Sequence, residues 1–150
     1  MRLLIQRVKE ASVHIDDEVF SEIGNGLLIF IGIEDADTQD DIDWLVKKVA
    51  NLRIFSDSQG AMNLSVQEVD GACLVVSQFT LHAQTKKGNR PSFIRAARPE
   101  TAIPLYEKFV NSLEKELNQS VATGKFGAMM DVSLVNDGPV TIWIDSKSKE

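Results

Sequence analysis

The run Leu27–Ile33 contains no polar side chain, and no other feature limits so strongly what this chain can become. A short, unbroken apolar run bounded by turn residues fits a strand buried on both faces. Gly24-Asn25-Gly26 punctuates its start. A second strand is expected over Ala72–Phe79, which opens on the apolar stretch Ala72–Val76. The single cysteine, Cys73, lies in that stretch, where cysteine behaves as a small buried hydrophobe. It has no partner for an internal disulfide, which is consistent with a reducing compartment.

Around these two segments the pattern is mixed. Leu3–Val8 and Ser12–Ile15 alternate as strands, Asp16-Asp17 offers a turn, and Val19–Ile23 resumes. Over Thr38–Ala50 the period changes: Ile42, Leu45, Val46 and Val49 form one stripe of an amphipathic helix. Thr38 is placed to cap it, with Asp40, Asp41 and Asp43 near its positive end and Lys47 and Lys48 near the other. Arg53–Phe55 reads as a short strand closed by a turn at Asp57–Gly60. A second helix is expected over about Glu100–Leu117, with Ala102, Leu105, Tyr106, Phe109 and Leu113 on its apolar face. Pro104 fits that helix only in the first turn, where its missing N–H is not needed. Met129–Val135 and Val140–Ile144 read as two strands around Asn136-Asp137-Gly138-Pro139. The expected fold class is α+β, with an antiparallel-rich sheet or open barrel and two main helices.

The chain has 150 residues, 43% hydrophobic and 25% charged, without linker, repeat or low-complexity segment. That suits a single domain over residues 1–150, able to bury roughly 68–70% of its unfolded surface. The apolar part of Met1–Arg7 is too short for a signal peptide, and no stretch approaches the ~20 residues that span a bilayer. A soluble, cytoplasmic protein without a membrane partner is expected. The net charge of −6 argues against a nucleic-acid partner. Its distribution argues the other way: Lys86, Lys87, Arg90, Arg95 and Arg98 fall between Leu81 and Pro99 with no acid among them. Such a segment can grip a few phosphates, as at a tRNA end, although on charge alone a solvated loop is the simpler reading.

Common catalytic signatures are missing: no phosphate loop, no GxSxG elbow, no HExxH and no paired-cysteine zinc site. His14 and His82 are too few for a histidine-rich metal centre, and neither metal nor cofactor is expected. A Ser77–His82 pair lacks a geometric reason to meet. Two segments remain. Val75–Leu81 is a deeply apolar strand ending in the polar groups of Ser77, Gln78 and Thr80, and strand ends entering loops often carry function. Leu134–Thr141 holds Asp137-Gly138-Pro139, which locally reads as a tight turn.

Together these segments resemble the D-aminoacyl-tRNA deacylase family. The matching residues are Gln6-Arg7-Val8 leading to Ala11-Ser12-Val13; Arg53-Ile54-Phe55 with Asp57, Gly60 and Met62-Asn63-Leu64-Ser65; Ser77-Gln78-Phe79-Thr80-Leu81 followed by Arg90-Pro91-Ser92-Phe93; and Asn136-Asp137-Gly138-Pro139-Val140-Thr141. The resemblance runs from Met1 to about Ile144. It implies a compact β-barrel-like α+β homodimer that hydrolyses the ester between a D-amino acid and the 3′ end of tRNA. It also replaces the local turn reading: Gly138-Pro139 is implied to be cis and inserted into the partner subunit's active site.

The residues, read with that reaction in view, suggest a division of labour in which the family itself implies only the attack by water. Backbone N–H groups near Phe79 and Thr80 hold the ester carbonyl oxygen, and a water helped by the terminal 2′-hydroxyl attacks. Ser77 and Gln78 support the adenosine or the loop, Phe93 offers a surface for adenine, and Arg7 braces the Gly-Pro loop or the dimer contact. Gly138, Pro139 and Asn136 form the substrate-binding loop whose carbonyls fix the amino group and occupy the space of an L side chain. Glycine, lacking a side chain, would then escape rejection, so glycyl-tRNA mischarged on tRNA(Ala) is a further expected substrate. Thr80 is either a nucleophile or a positioning group; no activating base lies near it in sequence, which favours positioning. Two rival readings stay open: a small-ester hydrolase using Ser77 or Thr80 as nucleophile, and a non-catalytic RNA-binding module using Lys86–Arg98.

Overall fold

The computed structural model describes residues 1–150. Its longest early element, β1 (Arg2–Ile15), is one strand where the alternation predicts two. Leu3 and Ile5 point into the larger core, whereas Val8, Ala11 and Val13 point into a smaller one. An extra residue, Lys9, sits between the pairs Val8↔Asn136 and Glu10↔Val135. A bulge of this kind adds twist and changes which face is presented, so one strand feeds both cores without a break.

The Asp16-Asp17 turn, with φ of 50° and 63°, returns the chain into β2 (Glu18–Ile23). Next, β3 (Gly26–Gly32) pairs antiparallel with β1. Its Leu27, Leu28, Ile29 and Ile31 are at most 1% exposed, as the unbroken apolar run requires. Helix α1 (Gln39–Asn51) buries Ile42, Leu45, Val46 and Val49, and the Asp41 carboxylate accepts the Thr38 backbone N–H at 2.8 Å. Asp43 and Lys47 fall outside the helix's terminal turns, leaving Asp40, Asp41 and Lys48 to complement its ends. A small ribbon follows, β4 (Phe55–Ser56) with β5 (Met62–Leu64); Arg53 and Ile54 precede it rather than belong to it.

The chain then enters β6 (Ala72–Ser77), which pairs parallel with β3, and crosses through α2 (Pro99–Leu117) to β7 (Ala122–Thr123), parallel with β6. Parallel neighbours need long crossovers, here supplied by the two helices. The sheet is therefore mixed, antiparallel around β1 and parallel around β6. Pro104 lies in the second turn of α2, not the first, because the helix starts at Pro99. The carbonyl it leaves unpaired belongs to Glu100, an exposed residue that water can reach.

The last strand, β8 (Asp131–Asp145), runs along β1 for nearly its whole length. The strand order β2-β1-β3-β6-β7 curls so that its ends meet, with Ser21 Oγ donating to Thr123 O at 2.6 Å. The result is α+β with a nearly closed, barrel-like sheet and two helices packed over the larger core. No helix is long and apolar enough to cross a membrane.

β3 and β6 meet most tightly at Gly26. A Cβ there would stand 1.8 Å from the Ala72 carbonyl oxygen, which belongs to backbone and cannot give way. Gly26→Ala is expected to destabilise the protein by about 3 kcal/mol, the upper range for forced overpacking. Urea unfolding checks this, and a loss below about 1 kcal/mol would show that the strands separate more easily than this contact implies.

Candidate functional site

At the end of β6 the chain changes character. Cys73, Leu74, Val75 and Val76 are buried, Ser77 and Gln78 are half-buried, and Phe79 is 57% exposed. The Gln78 N–H makes the last bond to β3, at Ile31 O (2.8 Å), after which Phe79–His82 forms one 3-10 turn. This turn lies flat on Gly32, where a Cβ would come within 2.9 Å of the Leu81 side chain and 3.1 Å of the Gln78 carbonyl. Phe79 and Thr80 are first in the turn, so their N–H groups lack intrahelical acceptors, and neither has another backbone partner.

Ser77, Gln78 and Phe79 line a cavity of about 360 Å³. Its walls are largely apolar: Ile31 and Val76 come from the sheet, Ala97 and Ala102 from the approach and first turns of α2, and Phe126–Met130 from the β7–β8 connection. A pocket of this kind suits a mostly apolar ligand oriented by a few polar groups at one rim. Sequence reasoning misses the Phe126-Gly127-Ala128-Met129-Met130 wall. Met129 and Met130, expected at the start of a strand, precede β8 instead, and Met129 is 92% exposed.

The side chains at the rim form no nucleophile–base pair. Thr80 Oγ1 accepts from Gln78 Nε2 at 2.5 Å, and neither Ser77 nor Thr80 is bonded to a basic group. His82, the last residue of the turn, is fully buried, and burial holds it below the ordinary histidine range. Burial likewise pushes the Cys73 thiol up to about 12, which removes it as a nucleophile. Phe93 does not line the cavity; its ring packs edge-on against Phe79, centroids 5.1 Å apart.

The remaining candidates gather elsewhere. Met129–Val135 and Val140–Ile144 are not two strands around a turn: β8 continues on β1 across the motif, with Asn136 opposite Val8 and Thr141 opposite Gln6. Four residues, Asp137–Val140, therefore stand opposite the single residue Arg7 and must bulge out. The Asn136 amide closes the base of this bulge, accepting from Val140 N–H (2.8 Å) and donating to Val140 O (3.1 Å). Arg7, 8% exposed, donates from Nε to Asp137 O (2.9 Å) and from Nη1 to Ile54 O (2.5 Å). Ile54 in turn adjoins a network in which Arg53 holds Asn63 and Asn63 holds the Asp57 carboxylate. The Gly138–Pro139 peptide bond is cis, both residues are exposed, and neither lines the cavity of their own chain.

The family model described as D-Tyr-tRNA(Tyr) deacylase matches residues 4–145. The chain belongs to this family. It is 61% identical to the D-aminoacyl-tRNA deacylase of Flavobacterium johnsoniae and 63% identical to that of Akkermansia muciniphila, in both cases over 100% of each chain. Among solved structures, a c-Myc DNA unwinding element binding protein superposes with a TM-score of 0.90 at 41% identity, covering 97% of this chain and 98% of that one. A probable eukaryotic D-amino acid tRNA deacylase shares the fold, with a TM-score of 0.82 at 17% identity over 95% of this chain and 97% of that one. Membership of the deacylase family makes the chain an enzyme, a hydrolase acting on the aminoacyl-tRNA ester. A purely non-catalytic RNA-binding role falls with that result.

Arg7 ties the Gly-Pro bulge to the segment around Ile54 from below. Arg7→Ala leaves the Ile54 and Asp137 carbonyls short of a donor and is expected to cost about 3 kcal/mol in chemical denaturation. Arg7→Lys, with a point charge instead of a fork, should recover only part of that loss. Two variants indistinguishable from wild type would mean that the bulge holds itself.

Proposed function

We propose that the protein acts as a cytoplasmic homodimer that removes D-amino acids from tRNA, with Gly138-Pro139 of one protomer completing the cavity of the other. The observation that carries this reading is a separation. The rim at Ser77–Thr80 has free N–H donors and a cavity, while the exposed, firmly braced Gly138-Pro139 bulge lies outside that cavity in its own chain. In the proposed dimer a second copy supplies the bulge that the cavity's own chain does not bring to it.

An aminoacyl ester is activated, so the chemistry asks little of the side chains. The terminal adenosine enters along Phe79 and Phe93, and the Phe79 and Thr80 N–H groups receive the carbonyl oxygen as negative charge develops on it. A water, oriented by the neighbouring 2′-hydroxyl, adds to the carbonyl carbon. The ester C–O bond then breaks, releasing the free D-amino acid and the 3′-hydroxyl of tRNA. Ser77, Gln78 and Thr80 position groups by hydrogen bonding, and the Gln78–Thr80 bond keeps that rim in one arrangement. The partner's bulge sets chirality: main-chain oxygens at Gly138 and Pro139, with the Asn136 amide behind them, engage the amino group and leave no volume for an L side chain.

Release of amino acid from D-tyrosyl-, L-tyrosyl- and glycyl-tRNA at matched enzyme concentrations tests the reading. D-Tyrosyl-tRNA should be cleared at least about 100-fold faster than L-tyrosyl-tRNA, a gap of about 2.7 kcal/mol in barrier. Glycyl-tRNA, including glycine mischarged on tRNA(Ala), should be cleaved. Thr80→Ala should keep measurable D-specific activity with no covalent adduct. Equal loss of D and L substrates, resistance of glycyl-tRNA equal to that of L-tyrosyl-tRNA, or a trapped Thr80 or Ser77 ester would each contradict it.

A further inference from the structure

The loop after the Phe79–His82 turn is the most cationic stretch of an acidic protein, and the fold makes no use of its charge. Backbone groups of Gln84 and Ser92 exchange two hydrogen bonds (2.8 and 3.0 Å), closing the loop Thr85–Pro91. Every residue of that loop is exposed. Arg95 Nη2 is held by Glu34 at 3.0 Å, but Lys86, Lys87 and Arg90 take part in none of the ion pairs. No acidic residue lies between Gly71 and Pro99, in a chain whose net charge is −6. A cluster of unpaired cations on an otherwise anionic surface repels itself, and a polyanion relieves that repulsion.

Placement selects the polyanion. The loop leaves two residues after the 3-10 turn and returns at Phe93, whose ring lies against Phe79 at the cavity rim. Both ends are therefore pinned beside the site that takes the aminoacyl ester. Half of a seven-residue loop reaches at most about 12 Å from the Gln84–Ser92 bridge, enough for the backbone phosphates next to a nucleotide seated at the rim and too little for a distant part of the tRNA.

We propose that Lys86, Lys87 and Arg90 bind the phosphates of the single-stranded 3′ end of tRNA, immediately before the terminal adenosine. The proposal rests on the deacylase reading and adds the surface that makes tRNA, rather than any small aminoacyl ester, the preferred substrate. Phosphate contacts carry no sequence information, so the loop serves all acceptor ends alike. It also offsets the repulsion that the acidic body exerts on an approaching nucleic acid.

The test compares wild type with the triple variant Lys86→Ala, Lys87→Ala, Arg90→Ala on two substrates across a potassium chloride series. One is full-length D-tyrosyl-tRNA; the other is the D-tyrosyl ester of adenosine, which has no phosphate. On tRNA, KM should rise about tenfold with kcat within about twofold. The slope of log kcat/KM against log salt should become shallower by about 2, at roughly 0.7 for each single-strand phosphate no longer neutralised. Turnover of the adenosine ester should not change. The exchange Lys87→Arg with Arg90→Lys keeps the charge and should keep the wild-type slope. An unaltered KM and slope on tRNA would overturn the proposal, and so would an equal loss on both substrates, which would make the loop a prop for the cavity. A wild-type protein inactive on D-tyrosyl-tRNA would instead remove the deacylase reading itself.

Discussion

One guanidinium holds the exposed end of this structure in place. Arg7 sits where β8 carries four residues against one on β1, and its two donor directions reach the Asp137 carbonyl on the bulge and the Ile54 carbonyl beneath it. A buried cation is stable only when its donors are used, and a fork with fixed geometry uses both at once. The bulge is consequently braced from below, with the Asn136 amide standing in for a missing backbone pair. The Arg53–Asn63–Asp57 network, none of whose residues lines the cavity, adjoins Ile54.

The cavity side asks for different physics. Its walls are apolar and its rim offers N–H donors and hydroxyls, yet no base is paired with Ser77 or Thr80. That combination suits a bond already inclined to break, for which orientation and stabilisation of an oxyanion supply the needed acceleration. It is a poor design for a stable ester, which needs an activated nucleophile. In the proposed dimer, selectivity and bond cleavage fall to separate protomers.

Much of this was legible in the residues. The unbroken Leu27–Ile33 run marked a central strand, and the stripes in α1 and α2 marked two helices because burial on one face is written at the helical period. Family membership was legible through motifs at Ser77–Leu81 and Asn136–Thr141 rather than through local physics. What escaped was set by long-range pairing. Residues Asp137–Val140 look like a turn until β1 is known to run past them, and the parallel pairing of β3 with β6 has no local signature. The tail beyond Asp145 carries no motif, yet Ser146 N–H bonds Met1 O and Lys147 bonds Asp41, pairings that only the folded chain brings together.

The central claim is that Gly138-Pro139 works at the cavity of a neighbouring chain. Mixed dimers test it most directly. One chain carries Gln78→Ala and Phe79→Ala, the other carries Gly138→Ala and Pro139→Ala, and the mixed species is isolated with two different affinity tags. Each parent homodimer should lack selective D-aminoacyl-tRNA deacylation, while the mixed dimer, holding one cavity with an intact partner bulge, should recover about half the wild-type activity with its stereoselectivity. If the bulge served its own chain, no intact site would exist in the mixed dimer, and an absence of selective activity there would contradict the account.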